Sequence, residues 1–440
     1  MNAHDAMSAY AWIVSILWLL AVLGLWPILR ERYREVGARE WVLLGLVLAS
    51  VLLLERLVLH SVWHTNGFGF AQVAAAETGE LWRDQLALPH GLVHVLWLRA
   101  LTLALTPFSG TPFHGNFLLS TSSVLVFFLL VRGASGRQAP LIALAATSLF
   151  AWLPLRLRIG ASVSAYPLLE FLSLTMLLGL LLFADSGKRR PFLLAMLSLL
   201  LLFHTHAEAW VIGPALALLF LVVARRSALR PLLRDPWLGG ALAVTLVAGA
   251  TTAALQFRSG TTSMGGYLEQ QLVRRLQEPL SALFVGSETG LRPVSALLDP
   301  QLTPLPFIGA VLLGVAALGL AAFRDAALRP IALFLLLSAA LLYGFYTLNL
   351  LTLSDHVRLA VPYAFTFAWF AGFGVAGLAG LAGRHRWWVT GLFLSGALGV
   401  TLGTRQDLLQ ASFAMNEEQA LMAEAFEALP EGALVVTLPS

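Results

Sequence analysis

Side chains that could move a proton are concentrated in one segment of the sequence, 61–114. It carries His64, Glu77, Glu80 and Asp84, in a chain in which charged residues make up only 12%. An imidazole or a carboxylate held against a hydroxyl can accept its proton, so this segment can supply a general base. The alternative is that charge collects there only because the flanking segments are too apolar to hold it.

Arginines with polar neighbours form candidate anion sites. Arg156 and Arg158 precede a polar turn, and His356 and Arg358 open a later apolar run. The planar guanidinium makes paired hydrogen bonds to phosphate oxygens, so these residues suit a phosphate. Anchoring at the boundary of an apolar phase explains the arginines equally well. Glu170 falls within an apolar run and is expected to face protein or a wet cavity, because charge is expensive in lipid.

Two further polar groups interrupt apolar runs. Glu55 and Arg56 lie near the end of one run, where a functional role and snorkelling to the boundary are both open. His204, His206 and Glu208 separate two other runs, and a structural pair that includes Glu208 is the favoured interpretation.

The sequence leaves the metal content unknown. His90 and His94 have the i, i+4 spacing of two ligands on one helix face, but no acidic residue completes a known ligand pattern. Cysteine is absent, which excludes disulfides, thiolate metal sites and cysteine nucleophiles. No glycine-rich phosphate loop, HExxH or GxSxG motif occurs in a suitable context, so nucleotide-driven chemistry is not indicated.

The apolar runs that must position these residues indicate a membrane protein. The chain has 440 residues, of which 58% are hydrophobic, and this excludes disorder and an ordinary soluble domain. Uncharged runs long enough to cross a bilayer recur and predict an all-α bundle of about 12 transmembrane helices. The predicted spans are 10–29, 41–60, 115–132, 139–156, 162–184, 190–204, 207–224, 237–256, 303–323, 329–350, 358–381 and 386–403.

Loop charges set the topology. The net charge of +4 comes mostly from arginines in short loops, a pattern that orients membrane helices and gives no reason to expect nucleic acid as a partner. All basic loops fall on the cytoplasmic side if 89–107 does not cross, which places both termini outside. Pro89, His94 and Arg99 favour an interfacial or re-entrant helix for that segment. Lys188 is the only lysine among many arginines, which is typical of a GC-rich bacterial source and suggests the bacterial inner membrane.

Three segments then lie outside: 61–114, 257–302 and 404–440. The second contains an amphipathic stretch, 267–278, that suits a helix lying on the outer leaflet.

This layout resembles the GT-C superfamily of membrane glycosyltransferases that use polyprenyl-phosphate sugars, such as protein O-mannosyltransferases and the aminoarabinose transferase. A large outer loop after an early span leads into Leu88-Pro89-His90-Gly91-Leu92, and a late span opens with His356-Val-Arg358-Leu-Ala-Val-Pro362. The resemblance implies a GT-C-type bundle over 1–403 with outer-face interfacial helices. The tail 404–440 is expected outside and looks like the start of a small, truncated domain.

The resemblance implies sugar transfer from a polyprenyl-phosphate carrier to a glycan, lipid or protein acceptor on the periplasmic face. His64 and Asp84 would lie in the base region, and Arg358 with Arg158 would hold the lipid phosphate, with or without a divalent cation. The family usually places an aspartate near the position of His64–Asn66, where this chain has no carboxylate. The alternatives are therefore that another acid or His64 serves, or that the protein is not a standard transferase.

The other acids open to that role are Glu77, Glu80, Glu55 and Glu170. Two other classes of protein also fit about 12 spans. One is a transporter or lipid-glycan flippase, and the other is a catalytically inactive GT-C-like assembly partner.

Overall fold

The computed structural model describes residues 3–58, 92–105, 112–135, 139–160, 165–206, 209–259, 305–348 and 363–403. In these ranges the chain is helical apart from short turns. The helices are α1 (Ala3–Gly24), α2 (Trp26–Arg32), α3 (Ala38–Val58), α4 (Leu92–Leu105), α5 (Pro112–Ala134), α6 (Ala139–Ala151), α7 (Pro154–Gly160), α8 (Tyr166–Ser186), α9 (Arg189–Phe203), α10 (Ala209–Leu219), α11 (Leu229–Arg234), α12 (Pro236–Ser259), α13 (Leu305–Arg324), α14 (Arg329–Leu348), α15 (Phe365–Leu381) and α16 (386–403).

Four helical stretches in the described part of the chain are long and apolar enough to cross a membrane: Trp12–Arg32, Asn116–Ala134, Tyr166–Ser186 and Pro306–Arg324. Shorter apolar helices accompany them, and the helix bounds agree with the predicted spans to within a few residues at most ends. The prediction of an all-α transmembrane bundle is confirmed. The count of about 12 spans stays a prediction.

Local sequence signals set the ends of the long helix α8. Pro167 occupies its first turn, where a missing backbone N–H removes nothing from the helix. Gly187 ends it in the left-handed conformation with φ 66°, and its N–H donates to the Phe183 carbonyl.

Within the segment 89–107 the structure describes residues 92–105, which form the 14-residue helix α4. At 1.5 Å per residue its described part is about 21 Å long. It packs against α1 and α5, and its Val93 N–H donates to the His204 carbonyl at 3.0 Å. That 89–107 does not cross the membrane stays a prediction.

Close helix packing forms the core. α6 is buried along almost its whole length, between α5 on one side and α15 on the other. A Cβ at Gly372 of α15 would lie 2.7 Å from the Ile142 carbonyl oxygen, so only glycine lets these two backbones approach as they do.

Ion pairs gather at one end of the bundle, which we call the basic end. Arg32 pairs with Asp185 at 2.8 Å, and Arg132 pairs with Glu40 at 2.8 Å. Arg189 pairs with Asp235 at 2.7 Å. The opposite end, the distal end, is where α3 ends and α8 begins. Glu170 and Asp185 are therefore about 22 Å apart along α8.

Candidate functional site

Three buried charged side chains meet at the distal end. Glu55 on α3, Arg156 on α7 and Glu170 on α8 are at most 2% exposed. The ends of these helices pack against one another and against α5. Glu55 therefore points into the protein, so snorkelling to the membrane boundary, one of its two interpretations, is wrong.

Arg156 and Glu170 form a buried ion pair. Arg156 Nη2 donates to Glu170 Oε1 at 2.8 Å, and Arg156 Nε lies 3.1 and 3.2 Å from the two carboxylate oxygens. The guanidinium also sits over the Phe150 ring, with 4.4 Å between Cζ and the ring centroid. Glu170 faces the bundle interior, as the sequence predicts, and its partner is an arginine only 14 residues earlier.

Ser120 of α5 joins the third charge to this pair. Its hydroxyl donates to Glu55 Oε1 at 2.5 Å, and its backbone carbonyl accepts from Arg156 Nη2. Gly160, the last residue of α7, lies against both groups, because a Cβ there would overlap the Glu55 carboxylate and the Ser120 hydroxyl. One serine thus connects α3, α5 and α7. Glycine at position 160 lets the end of α7 approach the Glu55 and Ser120 side chains this closely.

The hydrogen bonding of this network is incomplete among the described residues. Glu55 Oε2 and Arg156 Nη1 are buried and accept or donate no hydrogen bond there. One guanidinium also faces two carboxyl groups. Buried polar atoms are almost always bonded to protein, water or a ligand, so each of these two atoms calls for a polar partner. A hydroxyl suits either atom, since it can donate to the Glu55 carboxylate or accept from the Arg156 guanidinium.

A second polar group lies beside the first. His94 on α4 and His204 and His206 in the turn after α9 are buried, and the His206 ring lies 5.5 Å from the Tyr166 ring. Trp97 of α4 donates to Asn116 Oδ1 at 3.1 Å. Histidine and aromatic groups therefore hold α4 on the distal end. In the described ranges, no three His, Cys, Asp or Glu side chains are placed to hold a metal ion.

The predicted site residues fall into two groups. Arg156 and Glu170 are brought into contact. Arg158 belongs to α7, and its side chain is outside the described part of the structure. The other candidates lie outside the described residues: His64, Glu77, Glu80, Asp84, His356 and Arg358, as do Glu208, His90 and the tail 404–440.

Sequence reasoning missed Ser120 and Gly160. The available signal was the polar run Ser120-Thr-Ser-Ser123 inside the otherwise apolar helix α5. Ser120 of this run bonds Glu55, whereas the Ser123 hydroxyl donates to the Leu119 carbonyl of its own helix at 3.1 Å. Gly160 carried no signal of its own, because the need for glycine there arises from the Glu55 and Ser120 side chains of two other helices, α3 and α5.

Solved structures share this arrangement of helices. The archaeal oligosaccharyltransferase AglB from Archaeoglobus fulgidus, in complex with an inhibitory peptide and a dolichol-phosphate, superposes with a TM-score of 0.52 and 14% identity, over 86% of this chain and 56% of that one. The apo form of the A. fulgidus oligosaccharyltransferase gives a TM-score of 0.51 and 13% identity, over 84% and 55%. ArnT from Cupriavidus metallidurans bound to undecaprenyl phosphate gives 0.47 and 17%, over 86% and 74%.

The chain spans a little over half the length of the oligosaccharyltransferase that it matches. No protein-family model matches the sequence, and no curated protein matches it significantly. The likeness rests on the path of the helices over most of the chain. The protein therefore has the fold of the GT-C membrane glycosyltransferases, as the sequence layout predicts.

Proposed function

We propose that this protein is an integral membrane glycosyltransferase that moves a sugar from a polyprenyl-phosphate carrier to an acceptor on the outer face of a bacterial inner membrane. The observation that carries the proposal is the shared fold with a dolichol-phosphate-bound oligosaccharyltransferase over 86% of the chain. The acceptor is a glycan, a lipid or a protein.

The reacting groups are assigned to the distal end. His64 and Asp84 are proposed to take the proton of the acceptor hydroxyl, with Glu77 and Glu80 in the same segment. Arg358, with His356 and Arg158, is proposed to stabilise the departing lipid phosphate through charge-assisted hydrogen bonds.

The buried network supports this assignment by holding the elements that flank those segments. Glu55 lies four residues before 59–91, and Gly160 directly precedes 161–164. Because Ser120 joins the helices that carry both, a shift of one is transmitted to the other. A site that must hold reacting atoms at ~3 Å needs such a rigid support.

The position of buried charge favours this class of protein over a transporter. In the described ranges, Glu55, Arg156 and Glu170 lie together at the distal end. A transporter is expected to place polar groups near the midplane, between repeated halves.

The test is deletion of the gene, followed by mass spectrometry of the cell's glycans and lipid-linked sugars. A glycan lacking one sugar, with its lipid-linked donor accumulating, is the expected result. Expression of the wild-type protein in the deletion strain should restore the complete glycan, whereas expression of His64→Ala, Asp84→Ala or Arg358→Ala should not. Arg386→Ala, at the basic end, is the matched control and should rescue.

Two results would contradict the proposal. Whole lipid-linked units stranded on the inner leaflet would indicate a flippase. Unchanged glycans, or full rescue by all three distal variants, would indicate an assembly partner without transferase activity.

A further inference from the structure

A groove runs between α13 and α15 at the basic end of the bundle. Its volume is about 620 Å³, within the ~300–1,000 Å³ typical of small-molecule sites. Small residues form its floor, Ala317 and Ala321 from α13 and Gly377 from α15, and leucines such as Leu313 and Leu378 form its walls.

The groove follows from how the two helices touch. A Cβ at Gly314 would overlap the Phe370 carbonyl, and one at Gly374 would overlap the Ala310 carbonyl. The helices are therefore in backbone contact at these glycines. Next to this contact the side chains are too short to fill the space between the helices. The open space that remains inside the groove is called the channel below.

The surroundings of the groove are apolar. Leu320 and Leu381, which line it, are 64% and 87% exposed, and neighbouring Phe323 is 83% exposed. They lie on or beside Pro306–Arg324, a helix long and apolar enough to span a membrane. Surface of this kind faces acyl chains, so a lipid chain is the apolar group available to fill the channel.

A cation without an ion-pair partner in the described part of the chain lines the groove. Arg324 lines the groove, is exposed, and has no ion-pair or hydrogen-bond partner among the described residues. Nearby Arg329 is already used, because it donates to the Ala322 carbonyl at 3.0 Å and caps α13. Asp325 accepts from the Ala327 N–H at 2.9 Å, which commits one of its oxygens to the following turn. Asp325 also lines the groove, but Arg324 makes no ion pair with it in the described structure, so the guanidinium keeps its hydrogen-bond donors for another group.

We propose that this groove binds an anionic phospholipid, with an acyl chain in the channel and the phosphodiester against Arg324. An apolar channel that ends at a guanidinium matches the two parts of such a lipid. The site is on the opposite end of the bundle from the proposed sugar transfer and does not depend on it.

The test is native mass spectrometry of the purified full-length protein titrated with phosphatidylglycerol and with phosphatidylcholine. Wild type should bind phosphatidylglycerol more tightly. Arg324→Gln should weaken phosphatidylglycerol binding about fivefold and leave phosphatidylcholine unchanged, since one interfacial arginine contributes about that factor. Ala321→Phe fills the channel and should weaken the binding of both lipids. Ala316 lines the same groove at an exposed position, so Ala316→Phe is the second channel-filling variant, to be used if Ala321→Phe does not fold.

Arg234→Gln is the matched control, because Arg234 is also exposed at the basic end and has no ion-pair partner in the described structure. It should leave lipid binding unchanged. An equal loss in Arg234→Gln and Arg324→Gln would overturn the proposal and indicate general charge attraction. Unchanged binding in a folded channel-filling variant, or co-purification of an isoprenoid phosphate that Arg324→Gln removes, would also overturn it.

Discussion

Arg156 Nη2 donates to Glu170 Oε1 at 2.8 Å, with both side chains essentially inaccessible to solvent. The two residues belong to the helices on either side of 161–164, so the pair joins α7 to α8. Ser120 and Glu55 extend the contact to α5 and α3. The distal ends of four helices are therefore held by one polar network rather than by apolar packing alone.

Breaking this pair on one side should be strongly destabilising. Arg156→Met should lower the free energy of unfolding by about 3–5 kcal/mol, because Glu170 is left as an uncompensated buried charge. Glu170→Leu should lower it by less, because Glu55 still faces Arg156. The double variant should lose less free energy of unfolding than the sum of the losses in the two single variants. Chemical unfolding in detergent measures all three.

The control is the exposed pair of Lys188 and Glu31, 3.7 Å apart. Lys188→Met should change the free energy of unfolding by less than about 1 kcal/mol, since exposed ion pairs contribute little. Additive single effects at Arg156 and Glu170 would show that the two groups do not stabilise each other.

Gly160 should not tolerate a side chain. Gly160→Ala would place a methyl group against the Glu55 carboxylate and the Ser120 hydroxyl, and overpacking of this kind lowers the free energy of unfolding by about 1–3 kcal/mol. Gly45→Ala in α3 meets nothing within 4 Å and should be neutral or stabilising. Equal melting temperatures for the two variants would refute the close contact.

The contact between α13 and α15 should depend on one glycine of α13 and not on another. Gly314→Ala would push a methyl group into the Phe370 backbone carbonyl, which cannot rotate away, so a fall of at least about 1–3 kcal/mol in the free energy of unfolding is expected. Gly309→Ala, on the same helix with nothing within 4 Å, is the matched control. A stable Gly314→Ala protein would mean that the helices lie further apart.

Tyr33 should make stability depend on alkaline pH. Its hydroxyl donates to the Leu129 carbonyl at 2.6 Å, and burial raises the pKa of the phenol above its ordinary value of 10.0. Tyr33→Phe should cost about 1 kcal/mol at neutral pH. Above pH 10 the unfolded state of the wild type releases this proton and the folded state keeps it, so the advantage of tyrosine should shrink.

Thermal unfolding of both proteins between pH 7 and pH 11 measures the difference directly. The other tyrosines are common to both chains, so their contributions largely cancel. A difference between wild type and Tyr33→Phe that stays constant across this range would contradict a buried, protonated Tyr33.

The sequence by itself determined the fold class. Apolar runs bounded by arginines predicted the helices. In lipid every backbone N–H and C=O group must be hydrogen-bonded within the protein, and a helix makes these bonds within one segment. The loop layout also predicted the GT-C resemblance, which the helix path of the oligosaccharyltransferase confirms at the level of fold. The sequence also predicted that Glu170 faces protein or a wet cavity, because a carboxylate is expensive in lipid.

Only the tertiary structure decided which groups meet. Arg156 is joined to Glu170, and Glu55 to Ser120, through contacts between helices that lie up to 65 residues apart in sequence. Sequence spacing defines the faces of one helix but not the rotation of one helix against another. That rotation is set by side-chain packing, and here by glycines such as Gly314 and Gly372 that let backbones touch.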